Sequence, residues 1–146
     1  LGDNLAGNLR LGLKLTAERI AAAQRVRGEI WTTLSRQLSE VDVLITPTVA
    51  VPPFAVADGP PTEIRGRPMR SYIDWVAPTY LLTLSSLPIL AAPCGLDSSG
   101  MPAGVQIVGP ADGEEIILTV GAAIEGAIGP LAPDLGALLP PSPAAS

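Results

Sequence analysis

Two adjacent serines, with one lysine as a possible base, are the first candidates in this sequence for covalent attack on a carbonyl carbon. Ser85 and Ser86 stand between Leu84 and Leu87, and Lys14 is the single lysine. A serine activated by a lysine also needs a glycine-rich loop that presents backbone N–H groups to the oxyanion. Because apolar residues flank the pair instead, we predict that the serines end a helix ahead of a strand and that Lys14 is a solvated helix residue.

The residue types that are rare or absent exclude several other chemistries. The sequence has no histidine, which removes Ser-His-Asp and Cys-His catalysis and the commonest metal ligand. Cys94 is the single cysteine, so no intrachain disulfide or cysteine metal cluster can form, and we predict a core thiol there. No phosphate-binding loop, dinucleotide fingerprint or metal-ligand spacing is present. The sequence therefore predicts no metal, no cofactor and no catalytic residue within this chain.

Charge and hydrophobicity narrow the class of partner. The net charge is -5, from 14 acidic and 9 basic residues, which argues against a nucleic-acid surface. The most apolar stretch, Tyr80–Leu96, contains two prolines and falls short of the roughly 20 residues that span a membrane. No signal peptide is evident at the start. We predict a cytoplasmic protein that binds neither nucleic acid nor membrane.

Aromatic residues make up only 3% of the chain, so a segment that contains two of them stands out. Trp75 follows Asp74, and Tyr80 comes shortly after, so the two rings could wall a small-molecule pocket. Packing between secondary-structure elements is an equally good explanation.

The first half of the chain predicts two helices, a strand and a loop. Residues 16–40 have a helical period with Thr16 as N-cap, and a shorter helix is expected between Asn4 and Leu13. Val43–Ile45 suits a buried strand, and the proline- and glycine-rich segment 49–69 an ordered surface loop or lid. The apolar stripe of the long helix comprises Ile20, Ala23, Val26, Ile30, Leu34, Leu38 and Val41.

The second half predicts a helix followed by two strands. Residues 70–84 have a helical pattern that Pro78 must kink or restart. Strands are expected at 89–94 and 104–109, and the turn 95–100 between them would make them a hairpin-like pair.

A final helix is expected to begin at Asp112, which with Glu115 has the spacing of a capping box, and to end at Gly129-Pro130. This order of elements predicts an α/β fold with a mixed sheet. Strand Val43–Ile45 has no partner nearby in the sequence, as expected for part of a larger fold.

Four segments in order resemble motifs of the amidase-signature family, over Leu9–Ala127. Val41–Thr48 is similar to its D-x-L-x-x-P-T segment, and Leu87–Gly95 to its L-P-A-x-S-x-P-x-G strand. Gly100–Gln106 resembles its G-x-P-x-G-x-Q turn, and Glu114–Leu118 the start of its last helix. One departure is the stretch Thr83-Leu-Ser-Ser86, where the family often has N-L-x-G.

The resemblance implies that residues 1–130 are the C-terminal portion of a mixed-sheet amidase fold flanked by helices, followed by a Pro/Ala-rich tail at 131–146. Family members are several times longer, and their nucleophilic serine, bridging serine and basic lysine lie N-terminal to everything present here. The implied partners are the remainder of the amidase chain and a small-molecule amide substrate, and a homo-oligomer is left open. The substrate-pocket wall would comprise Trp75, Thr79, Tyr80 and Thr83.

Two alternatives stay open from the sequence. The chain could belong to the A subunit of a glutamyl-tRNA amidotransferase, or it could be a non-catalytic structural or binding module. The upstream reading frame distinguishes a fragment from a separate module, and a start at Leu1 favours the fragment.

Overall fold

A three-stranded antiparallel sheet lies at the centre of the computed structural model, which describes residues 2–129 and residue 131. Its strand order is β1 (Leu44–Pro47), β5 (Pro102–Val108) and β4 (Ile89–Leu96), so β5 is the central strand. Helices pack against both faces of this sheet. The elements are α1 (Asp3–Gly12), α2 (Ala17–Leu38), β1 (Leu44–Pro47), a 3₁₀ turn (Val56–Asp58), β2 (Glu63–Ile64), β3 (Arg67–Pro68), a second 3₁₀ turn (Asp74–Val76), α3 (Ala77–Thr83), β4 (Ile89–Leu96), β5 (Pro102–Val108) and α4 (Glu114–Ile128).

Strands β4 and β5 form the predicted hairpin. The carboxylate of Asp97 closes its turn, since Oδ1 accepts from the N–H groups of Ser99 at 2.8 Å and Met101 at 3.0 Å. A short turn of this kind forces an antiparallel pair. The α/β class is confirmed, but the mixed sheet is not seen within the described residues, where every strand pair is antiparallel.

Strand β1 has a partner that lies far away in the sequence. Leu44 pairs with Val108 and Pro47 with Val105, along the free edge of β5. The prediction that Val43–Ile45 has no partner nearby in the sequence is confirmed, and the fold supplies that partner from a distant part of the same chain.

Among the described residues, the core consists of two small clusters, one on each face of the sheet. Ile107 and Val108 are fully buried and adjacent on β5, so their side chains point to opposite faces. Val108 packs with Leu38 of α2 and with Leu87, whereas Ile107 packs with Ile117 of α4. Helices α2 and α3 thus cover one face, and α4 covers the other.

Helix α2 begins as predicted, with the Thr16 hydroxyl accepting from the Arg19 N–H at 3.3 Å. Its apolar stripe is buried only toward the C-terminal end. Leu38 is 7% exposed, whereas Ile20 and Val26 are 50% and 53% exposed. The apolar stripe has the pattern of a packed helix face. About half of it is nevertheless not covered by other described residues.

Helix α3 begins later than predicted. Helical structure starts at the 3₁₀ turn Asp74–Val76 rather than at Arg70, and the α-helix proper has Pro78 in its first turn. Proline is tolerated there because the first N–H groups of a helix have no intrahelical partner. Pro78 therefore restarts the helix rather than kinking it.

The capping box predicted at the start of α4 is wrong. Gly113 is the N-cap residue, and no side chain caps the helix. Asp112 instead lies in a preceding turn with φ of 59°, where the Gly113 N–H donates to the Pro110 carbonyl at 3.0 Å. Gly129 ends α4 with φ of 77°, as predicted. Pro130 and, apart from residue 131, the predicted tail lie outside the described residues.

The segment 49–69 contains more structure than a simple loop. Strands β2 and β3 form a small hairpin whose central residues Arg65 and Gly66 both have positive φ, as a two-residue turn requires. Whether the segment closes over a substrate stays a prediction. Within residues 2–129, no helix has both the length and the apolar character that crossing a membrane demands.

Candidate functional site

Hydrogen bonds join the start of α3 to the chain that follows β1. The Ala50 N–H donates to the Trp75 carbonyl at 3.3 Å, and the Thr79 hydroxyl donates to the Thr48 carbonyl. Thr48 is itself attached to β5, since its N–H and hydroxyl reach the Gly104 carbonyl at 3.2 Å and 3.0 Å. We call this set of contacts between residues 46–50, residues 75–79 and β5 the α3 junction.

A buried amide lies in the α3 junction. Gln106 of β5 is 3% exposed, and its Nε2 lies 3.1 Å from the Pro47 carbonyl and 3.3 Å from the Pro78 carbonyl. The Thr46 hydroxyl lies 3.4 Å from the same nitrogen. The amide therefore links β1, α3 and β5 through one atom.

An apolar groove of about 480 Å³ lies beside the α3 junction. Phe54 and Trp75 meet there edge to face, with ring centroids 5.3 Å apart and an interplanar angle of 75°. The indole N–H donates to the Tyr72 carbonyl at 3.0 Å, so the polar end of the ring is satisfied. The groove has the size and character of small-molecule pockets. It is lined by residues 47–54, Trp75, Asp97 and residues 102–104.

The structure divides the four predicted wall residues between two places. Trp75 lines the groove, whereas Thr79, Tyr80 and Thr83 do not. Those three share one exposed face of α3, with Tyr80 37% exposed. The Thr83 hydroxyl donates to the Tyr80 carbonyl at 2.7 Å, and the Thr79 hydroxyl donates to the Thr48 carbonyl in the α3 junction. A common role for the four in binding substrate stays a prediction.

Asp74 orients the turn that leads into Trp75. Its carboxylate accepts from the Ser71 hydroxyl at 2.6 Å and from the Arg70 N–H at 2.8 Å. The hydrogen bond from Ser71, and to a lesser extent that from Arg70, holds the pKa of this carboxyl below its usual value. These contacts give Asp74 a structural role at the start of the 3₁₀ turn.

The serine pair ends a helix, as the sequence predicted. Ser85 is buried, and its hydroxyl donates to the Leu82 carbonyl at 2.6 Å. Ser86 has φ of 59°, and its hydroxyl accepts from Arg27 Nη2 at 3.2 Å. Lys14 is exposed, as predicted, but it lies in the turn after α1 rather than in a helix.

Two contributors to the site were missed from the sequence. Phe54 is the single phenylalanine of the chain, and its place opposite Trp75 had no local signal. In the sequence, Gln106 was noted only as the last residue of a family motif, although an amide inside an apolar strand is itself unusual.

Cys94, predicted as a core thiol, is half-buried and free. Among the residues described, no group of three or more His, Cys, Asp or Glu side chains could hold a metal ion.

Comparison with known proteins gives one consistent result. A family model described as Amidase matches residues 4–118. The A subunit of glutamyl-tRNA(Gln) amidotransferase from Salinibacter ruber is 39% identical over 104 residues, which cover 70% of this chain and 19% of that protein. An acylamidase of Rhodococcus erythropolis is 29% identical over 113 residues, or 77% of this chain and 24% of its own length.

Solved structures agree with the sequence comparison. A bacterial aryl acylamidase of the amidase-signature enzymes matches with a TM-score of 0.78 and 28% identity, covering 87% of this chain and 26% of its own. The A subunit of glutamyl-tRNA(Gln) amidotransferase from Thermotoga maritima matches with a TM-score of 0.66 and 27% identity, over 85% and 26%. The chain thus spans about a fifth to a quarter of the proteins it resembles.

Proposed function

Because this chain belongs to the amidase family, we propose that it is the C-terminal portion of an amide-bond hydrolase. In this proposal, the chain completes the sheet and supplies one wall of the acyl pocket. The serine nucleophile, bridging serine and lysine base lie in the N-terminal portion of the domain, and a small-molecule amide is the substrate. The observation that carries the proposal is the match of 87% of this chain to only 26% of an aryl acylamidase.

The exposed apolar surface of the two N-terminal helices supports the same conclusion. Large apolar side chains on α2 are about half exposed, including Val26 at 53% and Trp31 at 48%, and Leu13 after α1 is 80% exposed. Contiguous apolar surface on a folded protein generally marks a face that another partner or segment covers. We propose that the N-terminal portion of the amidase domain covers this surface.

The proposed pocket wall combines the groove with the neighbouring face of α3. Trp75 offers an apolar ring to the acyl group, and Thr79, Tyr80 and Thr83 add hydroxyl-bearing side chains on an exposed surface. A mostly apolar wall with a few polar groups is the usual composition of a site for a small organic molecule.

Complementation with a relative tests the proposal. The chain is assayed on a small aryl amide alone, and mixed with the N-terminal portion of the Rhodococcus erythropolis acylamidase. A chimera is assayed as well, in which this chain replaces the segment of that acylamidase that aligns with it. We expect hydrolysis in the mixture or the chimera, and none from either part alone.

A variant with Ser85→Ala and Ser86→Ala is the matched control for this assay. If these serines only end α3, the double variant retains activity in any combination that folds. Hydrolysis by the chain alone that the double substitution abolishes would contradict the proposal, as would a cooperatively folded chimera without activity.

Relatedness to amidotransferases favours a second candidate. The 39% identity to the Salinibacter ruber protein suits a portion of the A subunit of a glutamyl-tRNA amidotransferase. The same complementation with the N-terminal portion of that protein, assayed by glutamine hydrolysis, distinguishes the two. Preferential restoration of glutaminase activity over aryl-amide hydrolysis would favour the amidotransferase.

A further inference from the structure

We infer that Gln106 is a positioning residue of the proposed substrate site: its side-chain amide fixes where α3 lies relative to the sheet. The inference rests on the proposed function, because α3 carries three of the four predicted wall residues. The amide nitrogen has two hydrogens, and it has three oxygen acceptors within 3.4 Å on β1 and α3. No other buried side chain of the α3 junction reaches both elements.

Apolar packing alone does not determine the place of α3. The helix has only seven residues, and none of them is buried. Leu82 is partly buried against the cluster of Leu38, Leu87 and Val108, but it lies at the opposite end from Pro78. The polar contacts of the α3 junction therefore determine the position of the first turn.

The chemistry at position 106 requires an uncharged donor. The acceptors are the Pro47 and Pro78 carbonyls and the Thr46 hydroxyl, none of which titrates near neutral pH. A carbonyl can only accept, so a side chain without an N–H or O–H leaves these oxygens without this partner. Gln106 is 3% exposed, so water compensates poorly for the loss. No buried side-chain N or O atom in the described part of the chain lacks a partner, so the junction is satisfied as it stands.

Loss of the Gln106 amide should also affect the apolar groove. Trp75 comes three residues before Pro78, and its carbonyl accepts from Ala50 in the same junction. When the amide is lost, we expect the start of α3 and the Trp75 ring to shift away from β1 together. Such a shift changes substrate binding more than it changes the chemical step, because the predicted reacting groups lie elsewhere.

The substitution Gln106→Glu in the acylamidase chimera tests the inference. Burial raises the pKa of the introduced carboxyl, which donates a hydrogen bond only when protonated. At pH 8 we expect KM for the aryl amide to rise about tenfold, the effect of losing one or two buried hydrogen bonds, with a smaller change in kcat. KM should return toward the parent value as the pH falls and the carboxyl is protonated.

Gln37→Glu is the matched control, because Gln37 is exposed near the end of α2. It should leave KM unchanged at every pH. If Gln106 only stabilised the fold, Gln106→Glu would reduce the fraction of folded enzyme, but KM of the folded fraction would not depend on pH. A folded Gln106→Glu chimera with the parent KM at pH 8 would overturn the inference.

Hydrogen exchange in the 146-residue chain provides a readout that needs no activity. At pH 8, Gln106→Glu should increase amide exchange of the α3 segment 77–83 relative to Gln37→Glu, with less change in α4. Equal exchange in the two variants would contradict the inference. An inactive parent chimera would count against the proposed function while this measurement still decides the role of Gln106.

Discussion

Ser86 occupies a backbone conformation that favours glycine. Its φ of 59° places it in the left-handed region just after α3, where a side chain costs roughly 1–2 kcal/mol. It stands where the N-L-x-G motif of related sequences has glycine. Arg27 contributes to holding the turn, because Nε donates to the Leu84 carbonyl at 3.0 Å and Nη2 to the Ser86 hydroxyl at 3.2 Å. The turn is therefore kept although its usual residue is absent.

The cost at this position is measurable with two substitutions. Ser86→Gly and Ser86→Ala both remove the hydroxyl that Arg27 contacts, but only glycine relieves the left-handed conformation. We expect the glycine variant to exceed the alanine variant in free energy of unfolding by about 1 kcal/mol. Urea unfolding followed by circular dichroism measures the difference. Equal stabilities would mean that the turn imposes no strain on a side chain.

At the scale of elements, glycines set how closely α4 approaches the sheet. A Cβ atom at Gly109, just after β5, would lie 2.7 Å from Ile117 Cγ2 and 3.1 Å from the Gly113 carbonyl oxygen. The second of these atoms belongs to the backbone and cannot rotate away. Gly28, in the middle of α2, has no atom within 4 Å of such a Cβ. Gly109 therefore permits a close contact between α4 and the sheet, whereas no contact depends on the missing side chain at Gly28.

Alanine at these two positions should change stability in opposite directions. Gly109→Ala should lower the free energy of unfolding by about 1–3 kcal/mol, since α4 must move away from β5. Gly28→Ala should raise it by about 0.5–1 kcal/mol, because alanine restricts the unfolded chain and favours the helix. Denaturant midpoints of the two variants against the parent check both signs. A stabilising Gly109→Ala would show that the close approach is not required.

The elements that the sequence predicted well are those determined by local residues. The helical period and the Thr16 cap of α2, and the turn of Asp97 between β4 and β5, depend on residues near one another in the chain. The errors involve competing or distant contacts. The turn at Pro110 displaced the capping box of Asp112, and the partner of β1 was not visible in its neighbourhood.

The candidate site was predictable only in part for the same reason. Trp75 was identified because aromatic residues are scarce, but its neighbour Phe54 comes from a distant loop. Gln106 contacts residues that the sequence separates by as many as 60 positions, so no local pattern could predict the α3 junction.

At the scale of the whole molecule, much apolar surface remains open. The two core clusters are small, whereas α1 and α2 expose Leu9 at 56% and Val26 at 53%. Trp31 is 48% exposed on α2, so it can report whether this surface becomes covered. In the proposed function, the N-terminal portion of the domain provides that cover.

A charge on this surface should therefore weaken association. Val26→Asp should raise the dissociation constant for the N-terminal portion of the acylamidase by about tenfold or more, because an unpaired carboxylate would be buried. Val56→Asp is the matched control, since Val56 is 97% exposed on the loop. Trp31 fluorescence in a Trp75→Phe background measures binding. Equal affinities of the two variants would place the contact elsewhere.

The long-range pairing of β1 also has a consequence for synthesis on the ribosome. The partner of Leu44 is Val108, so β1 emerges well before the strand that must pair with it. At about 5–20 residues per second, the intervening chain takes on the order of several seconds to be made. During that delay β1 presents unpaired backbone groups, to which a nascent-chain chaperone can bind.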